Sequence, residues 1–150
     1  MPGGELFFHL RQRGSFTEDE IRFYAAEIIT FLGQLHENGI IYRDLKPENI
    51  LVNKNGHLKF TDFGLSKDRM EFADQELTFS VCGTPEYIAP EIIKMHGHSS
   101  SVDWWSLGIL LVELYTGKPP VQDHTQIKVL SKIVKGQIDL SGIVDASADF

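Results

Sequence analysis

The stretch of sequence that decides the fold lies at residues 42–49 and reads YRDLKPEN. It places several charged and amide side chains in one short loop. Short runs of β-forming residues flank it, IIY at 40–42 and ILV at 50–52. A charged loop is usually solvated surface when its residues are taken one at a time. The combination of these residue types instead predicts side chains that act together.

A second acidic position supports that interpretation. Asp62 follows the β-type run HLKF at 57–60, so it is expected to project from the end of a strand. The oxygen atoms of Asn49 and Asp62 suit Mg²⁺, a hard cation that takes few protein ligands together with phosphate oxygens. Asp44 then remains as a base, and Lys46 as a cation facing a transferred phosphoryl group.

Helical patterns precede the loop. A short apolar helix is predicted over residues 5–13. A long amphipathic helix follows the capping box that Thr17 forms with Glu20, and it ends at Asn38 and Gly39. The runs at 50–52 and 57–60 are joined by a turn, which predicts a hairpin.

The second half of the chain reads differently. Residues 62–90 show no periodicity, which is typical of a functional loop. A buried helix, apolar nearly all round, is predicted over 102–116. A last amphipathic helix is predicted to start at Asp123, with three side chains facing inward: Ile127, Leu130 and Ile133.

Composition limits the classes of function. The 150 residues are 42% hydrophobic, enough to form a core, and carry a net charge of −7, which argues against binding to nucleic acid. The sequence has no apolar run long enough to predict membrane insertion. The single cysteine, Cys82, indicates an intracellular, cytoplasmic protein, with the nucleus possible. His96 and His98 have no cysteine or carboxylate beside them and predict no metal site.

The ordered motifs resemble the catalytic core of eukaryotic protein kinases. The catalytic loop is matched at 43–49, the metal-binding triplet DFG at 62–64 and the APE triplet at 89–91; Tyr42 stands where most members carry histidine. Three further stretches resemble sequences of the AGC group, the kinases signalled by cyclic nucleotides and lipids. They are Tyr42 with the Arg-Asp pair, CGTPEY at 82–87 and VDWWSLG at 102–108. Three others are most similar to the ribosomal S6 kinases and their relatives: GHLK at 56–59, GLSK at 64–67 and the Gly97-His98 stretch.

The resemblance implies a mainly α fold with small β-hairpin elements, like the large lobe of a protein kinase. It also implies a Ser/Thr kinase that uses ATP and Mg²⁺. Asp44 would accept the proton of the substrate hydroxyl, Lys46 would stabilise the γ-phosphoryl charge, and Thr84 would hydrogen-bond near both. The residues expected to bind the cofactors are Glu48, Asn49, Leu51 and Asp62, with Asn49 and Asp62 holding the metal.

Two structural roles follow from the same resemblance. The ring of Tyr42 would pack against Phe63, in the position that histidine usually fills. Asp103 would anchor the backbone of the catalytic loop; the other interpretation is a helix N-cap, and the two roles are compatible.

Regulation and substrate choice are also implied. Ser80 occupies the position of an activation-loop phosphosite, with Thr78 as the competing acceptor, and its phosphate would pair with Arg43 and Lys67 after an upstream kinase had acted. Basic Ser/Thr protein substrates are expected to contact two further sets of residues. Glu5, Glu48 and Glu113 would face arginines, and Val81, Pro85 and Ile88 would bind the residue after the phosphoacceptor.

One part of the kinase pattern is missing from the sequence. None of the 13 glycines forms a Gly-x-Gly loop over ATP phosphates, so residues 1–150 are expected to be a partial kinase domain that lacks the small lobe and is incomplete at both ends. The floor beneath adenine would then be left partly open to solvent; it consists of Leu6, Leu51, Leu110 and Leu114. The alternative hypothesis is a truncated, non-catalytic module that acts as a substrate-docking or decoy protein.

Overall fold

The computed structural model describes residues 3–68, 83–143 and 146–147, and side chains throughout these ranges except that of Asp68. Five α-helices lie in this part of the chain: α1 (Leu6–Arg13), α2 (Glu18–Glu37), α3 (Pro90–Ile93), α4 (Ser101–Thr116) and α5 (Gln126–Val134). None of the described helices is long and apolar enough to cross a lipid bilayer.

Helix α2 begins where the capping box predicted it would. The hydroxyl of Thr17 accepts a hydrogen bond from the backbone N–H of Glu20, and the Glu20 carboxylate accepts one in return from the backbone N–H of Thr17. Both donors are amides that the first turn of a helix leaves unpaired. The same carboxylate binds Arg13, with 2.8 Å between Nη1 and Oε1, which links the end of α1 to the start of α2.

Four short strands in the described part of the chain form two antiparallel pairs. Strands β2 (Ile50–Val52) and β3 (Leu58–Phe60) form the predicted hairpin, with Ile50 opposite Phe60. Strand β1 (Ile40–Ile41) pairs instead with β4 (Lys67–Asp68), which no sequence pattern indicated. A two-residue strand is too short to show a hydrophobic period, so β4 could be recognised only from its pairing.

Helices α2 and α4 share the main core, and the hairpin lies against α2. Glu27 of α2 accepts a hydrogen bond from the backbone N–H of Leu58 (2.7 Å) and pairs with the ring of His57. The prediction that the leucine floor would be partly open to solvent is wrong for three of its members. Leu6, Leu110 and Leu114 each have 0% exposure because they belong to the main hydrophobic core, and only Leu51 is partly exposed.

Helix α5 differs from the sequence prediction at its start and in its inward face. It begins at Gln126, after Thr125, whose hydroxyl accepts the backbone N–H of Lys128. Val129 and Ile133 are buried, whereas Ile127 is 81% exposed. Successive helical residues are rotated by about 100°, so Ile127 lies on nearly the opposite side from Val129.

Helix α4 is less uniformly buried than its apolar sequence predicts. Trp104 is 41% exposed, and its ring meets that of His36 edge-on at 5.3 Å. Asp103, beside it in the sequence, is completely buried. The burial of this carboxylate at the start of α4 determines the position of the loop described next.

Candidate active site

Asp103 anchors the loop at residues 42–49. Its Oδ2 accepts the backbone N–H of Tyr42 at 2.9 Å, and its Oδ1 accepts that of Arg43 at 2.8 Å. His36 of α2 lies 2.7 Å from the same Oδ2. The N-cap position of α4 belongs to Ser100, so the alternative in which Asp103 is the N-cap is wrong. One buried carboxylate therefore fixes the entry to the loop.

Tyr42 fills an aromatic core behind the loop. Its ring meets Phe31 at 5.4 Å and Phe63 at 5.5 Å, so the predicted packing against Phe63 is present. Its hydroxyl donates to the carbonyl of Thr61. Burial raises the pKa of Tyr42, and the negative charges of neighbouring aspartates, Asp44 first, raise it further. The hydroxyl therefore stays protonated and remains a donor.

The three residues predicted to be catalytic lie together, Asp44 and Lys46 in the loop and Thr84 in the segment after Gly83. Lys46 Nζ lies 3.0 Å from Asp44 Oδ2 and donates to Thr84 Oγ1 at 3.0 Å. The side-chain amide of Asn49 donates to Asp44 Oδ2 at 2.7 Å and to the Asp44 carbonyl at 2.9 Å. Asp44 is 6% exposed. A nearly buried carboxylate is thus held by two donors, in an orientation that its own loop determines.

The predicted metal ligands supply oxygen donors of the kind that Mg²⁺ prefers. Because the amide nitrogen of Asn49 is engaged by Asp44, its amide oxygen is the atom left to face a cation. Asp62 is exposed, and the backbone N–H and hydroxyl of Thr61 both donate to the carbonyl of Asn49, which ties the two segments together. No group of three or more His, Cys, Asp or Glu side chains forms a metal site within the described residues. Mg²⁺ would thus depend on phosphate oxygens for further ligands.

The backbone around Asp62 turns sharply. Asp62 has a φ of 58°, a left-handed conformation that aspartate tolerates better than most residues. Its Oδ1 accepts the backbone N–H of Gly64 at 3.1 Å, which stabilises the turn. The carboxylate of this turn is exposed at the surface.

The acidic residues predicted to contact substrate have different environments. Glu113 is 3% exposed, and the hydroxyl of Tyr87 donates to its carboxylate. Burial, followed by the negative charge of Glu48, raises the pKa of Glu113 to about 7, whereas Arg11 lowers it. Glu48 is exposed. The negative charge of exposed Glu48 is thus close enough to buried Glu113 to affect its pKa.

Glu5, the third acidic residue predicted to contact substrate, lies at the start of α1. It is exposed and occupies the N-cap of α1, where its side chain makes no capping hydrogen bond. Its backbone forms an isolated antiparallel bridge to Leu51 of the hairpin. The bridge brings Glu5 next to one residue expected to lie beneath adenine.

The loop after Gly83 contacts the catalytic loop directly. Gly83 has a φ of 110°, and a Cβ placed there would lie 3.3 Å from the carbonyl of Arg43. Thr84 and Ile88 line a small cavity with Arg43 and Asp44. Pro85 begins a 3₁₀ turn, Pro85–Tyr87, in the same segment. Ser80, Thr78 and Val81 lie outside the described residues.

Arg43 has an unusual environment. Its φ is 67°, and its Nε donates to the carbonyl of Leu65 at 2.7 Å. Its Nη1 is buried and has no hydrogen-bond partner in the described part of the chain. Lys67, the other cation predicted to bind a phosphate, lies in β4 opposite Ile41.

All of the candidate site residues described above lie within the part of the chain that a single family model matches. A family model described as "Protein kinase domain" matches residues 1–148. The chain belongs to the protein kinase family. The resemblance of its motifs and the predicted mainly helical kinase fold are therefore confirmed.

The relatives of this kinase chain include three well-matched proteins. It is 50% identical over 146 residues to protein kinase 2 of Dictyostelium discoideum, covering 97% of this chain and 30% of that protein. Identity is 49% over 148 residues to ribosomal protein S6 kinase beta of Caenorhabditis elegans, covering 99% of this chain and 26% of that protein. The chain is 48% identical over 145 residues to the human cAMP-dependent protein kinase catalytic subunit PRKX, covering 97% of this chain and 39% of that protein.

These relatives confirm the assignment to the AGC group of kinases. The chain spans less than half the length of each of them. Their names give no support to the alternative hypothesis of a decoy or docking module.

Sequence reasoning missed two side chains at the kinase site. Tyr87 was quoted only as part of a motif, yet its hydroxyl binds Glu113. His98 was considered as a metal ligand and as part of the Gly97-His98 motif, and it is 2% exposed, with an unpartnered Nε2. No sequence signal distinguishes a buried histidine from an exposed one at this position, since residues 95–100 show no periodicity.

Proposed function

We propose that the protein is a Ser/Thr kinase that transfers the γ-phosphoryl group of ATP to protein hydroxyls. The observation that supports this most strongly is the Asp44 carboxylate, held by Lys46 and Asn49 with Thr84 bound to the same lysine. The arrangement offers a proton acceptor and a fixed cation within one loop. It belongs to a chain whose family is that of the protein kinases.

In this proposal, Asp44 orients the substrate hydroxyl and accepts its proton. The hydroxyl oxygen forms a bond to the γ-phosphorus as the bond from that phosphorus to ADP breaks. Lys46 stabilises negative charge on the transferred group. Thr84 holds Lys46 in position, and its place beside the loop is expected to favour Ser and Thr substrates.

Asn49 and Asp62 would hold Mg²⁺, which would neutralise charge on the phosphates. Leu51 is expected to lie beneath adenine, and Glu48 to lie near the phosphates as well as near substrate. No Gly-x-Gly pattern occurs in the 150 residues, so assays of this function use the full-length protein.

The substrates proposed are proteins with basic Ser/Thr motifs. Glu113 and Glu48 supply interacting negative charge, and Glu5 adds another carboxylate. Carboxylates bind arginine through strong, charge-assisted hydrogen bonds. Pro85, Ile88 and Val81 are proposed to contact the residue that follows the phosphoacceptor.

Regulation by phosphorylation is a further part of the proposal. Phosphorylated Ser80 would pair with Arg43 and Lys67 after an upstream kinase had acted, with Thr78 as the competing acceptor. The buried, unpartnered Nη1 of Arg43 supports a requirement for an anion. An intracellular location is also proposed, because the single cysteine can form no disulfide within these residues.

The catalytic role is tested by Asp44→Asn in the full-length protein. Loss of the proton acceptor is expected to lower kcat by about 10²–10⁴-fold, the usual contribution of general base catalysis. Kinetics with Mg-ATP and a Ser peptide measure the effect. Asp19→Asn is the matched control, since the side chain of Asp19 is 94% exposed on α2. Equal kcat values for the two variants would refute the assignment.

A further inference from the structure

Helix α4 carries three buried polar side chains on one face. Asp103, Ser106 and Glu113 have exposed fractions of 0%, 6% and 3%. Because successive helical residues are rotated by about 100°, the three lie within about 80° of one another around the helix axis. A buried polar group is costly unless it is hydrogen-bonded. This face of α4 therefore needs partners in the segments that pack against it.

Two of the three side chains hold Tyr87, one at each end. The hydroxyl of Ser106 donates to the carbonyl oxygen of Tyr87 at 2.9 Å, and the carboxylate of Glu113 accepts from the Tyr87 hydroxyl. The third side chain, that of Asp103, anchors the catalytic loop. One face of a single helix therefore supports both the catalytic loop and the segment after Gly83.

The hydroxyl of Ser106 has a second acceptor within reach. The carbonyl oxygen of Val102, one turn earlier in α4, lies 3.1 Å away. A serine hydroxyl has one proton, so it makes one full hydrogen bond as a donor. In an α-helix each carbonyl accepts the backbone N–H four residues later, so that of Val102 is already used within α4. The shorter bond to Tyr87 is the one that leaves fewer groups unpaired.

The bond from Ser106 fixes a peptide group that faces substrate in the proposed function. The Tyr87 carbonyl belongs to the planar peptide that joins Tyr87 to Ile88, so holding the carbonyl also sets the direction of the Ile88 backbone. Ile88 is proposed to contact the residue after the phosphoacceptor. Ser106 and Ile88 line one small cavity, and the backbone N–H of Tyr87 donates to the carbonyl of Thr84 at 2.9 Å. The hydroxyl therefore acts where the substrate-facing turn meets α4.

We propose that Ser106 is a positioning residue that determines how strongly the kinase selects the residue after the phosphoacceptor. Its hydroxyl holds the Tyr87–Ile88 peptide and thereby the surface that Ile88 offers to substrate. It acts through Tyr87 and is not itself a catalytic residue. The inference rests on the proposed function, because the selected residue belongs to a Ser/Thr protein substrate.

The first test is Ser106→Ala in the full-length protein, assayed with two Ser peptides that differ only in the residue after the phosphoacceptor, leucine or glycine. The wild-type enzyme is expected to prefer the leucine peptide in kcat/KM. The variant is expected to reduce this preference by about 2–10-fold, the equivalent of one neutral hydrogen bond, without changing KM for Mg-ATP. An absent preference in the wild type, or an equal loss with both peptides, overturns the proposal.

Thr30→Ala is the matched control. The hydroxyl of Thr30 donates to the carbonyl of Ala26 at 2.8 Å, one turn earlier in α2, so its removal breaks a bond within one helix. This variant is expected to keep the wild-type preference between the peptides. A reduction as large as that of Ser106→Ala would mean that the loss of any helical hydroxyl has the same effect, and would contradict the proposal.

Ser106→Cys separates the hydrogen bond from the volume of the side chain. Cysteine fills similar space but is a weak donor. The preference for the leucine peptide is expected to fall nearly as far as in Ser106→Ala, and a cysteine variant with wild-type selectivity would count against the role of the bond. If the alanine variant does not fold, the cysteine variant decides.

Failure of this inference can be told apart from failure of the proposed function. A full-length protein that phosphorylates neither peptide refutes the proposed function, whatever Ser106 does. NMR then tests the bond without activity: Ser106→Ala is expected to shift the backbone amide ¹⁵N signal of Ile88, and Thr30→Ala to leave it in place. An Ile88 signal unmoved by Ser106→Ala would mean that the hydroxyl donates to Val102 instead, which overturns the proposal.

Discussion

Glu113 is an ionisable residue whose burial determines the pH at which its carboxyl group becomes negatively charged. The side chain is 3% exposed and bound by the hydroxyl of Tyr87. Its pKa is raised to about 7 by burial first and by Glu48 next. A carboxyl group with that pKa is about half protonated near neutral pH. The affinity for arginine is therefore expected to depend on pH in the physiological range.

The first residue-scale prediction concerns this dependence. As pH rises through about 7, Glu113 loses its proton and gains negative charge, so KM for an arginine-rich peptide is expected to fall. KM measured against pH in the full-length protein tests this. Glu113→Gln is expected to keep KM high across the range, with Glu37→Gln on the exposed end of α2 as control. A pH profile unchanged by Glu113→Gln would argue against it.

The second residue-scale prediction concerns the anchor of the catalytic loop. Asp103→Asn replaces a carboxylate that accepts two backbone N–H groups with an amide that has only one oxygen. One buried donor loses its acceptor, so the free energy of unfolding is expected to fall by about 2–3 kcal/mol. Urea unfolding of the full-length protein measures this. Asp19→Asn is the control, and an equally small loss in both variants would disprove the anchoring role.

The residues of one compact loop could be predicted as a group, whereas those brought together by distant segments could not. Asp44, Lys46 and Asn49 lie within six residues, so their spacing alone constrains them to one place. Thr84 joined them only through the family resemblance. The burial of His98 depends on tertiary packing, which no local sequence pattern records.

At the scale of secondary-structure elements, the ends of α1 and α4 meet closely. Gly117 ends α4 with a φ of 81°, and a Cβ added there would lie 2.2 Å from the carbonyl oxygen of Gly14, the residue that ends α1. The backbone N–H of Phe16 donates to the carbonyl of Leu114 at 2.9 Å nearby. The two helices therefore approach backbone to backbone where they end.

This contact gives a prediction with a close control. Gly136 also has a positive φ, 68°, but a Cβ added there meets nothing within 4 Å. Gly136→Ala is expected to cost about 1–2 kcal/mol through backbone strain alone. Gly117→Ala is expected to cost clearly more, since the helices must also separate. Urea unfolding of both variants measures the difference, and equal losses would mean that the contact is unimportant.

Secondary-structure elements with a clear capping or periodicity pattern were predicted accurately, and elements without such a pattern were not. Helix α2 begins at its capping box and ends at Glu37, immediately before the predicted Asn-Gly stop. Strand β4 was not predicted because its two residues depend entirely on pairing with β1. The start of α5 was placed three residues early, at Asp123, although Thr125 is the residue that caps it.

At the scale of the whole molecule, α2 and α4 form a rigid support for loops that carry the chemistry. The catalytic loop, the turn after Asp62 and the segment after Gly83 all meet on this support. The loops themselves have little regular structure. Their positions are set by buried polar bonds, of which those of Asp103 are the most central.

This anchoring has a consequence for time scales. The amides of Tyr42 and Arg43 both bind a carboxylate with 0% exposure, so they can exchange with solvent only when α4 and the loop separate. Hydrogen exchange of the full-length protein is expected to show these amides among the slowest, comparable with the centre of α4. Exchange as fast as that of the exposed turn at Asn55 would contradict this. Slow exchange would mean that a segment without regular secondary structure stays closed as long as the core does. Its opening would be as rare as the unfolding of the helix beneath it.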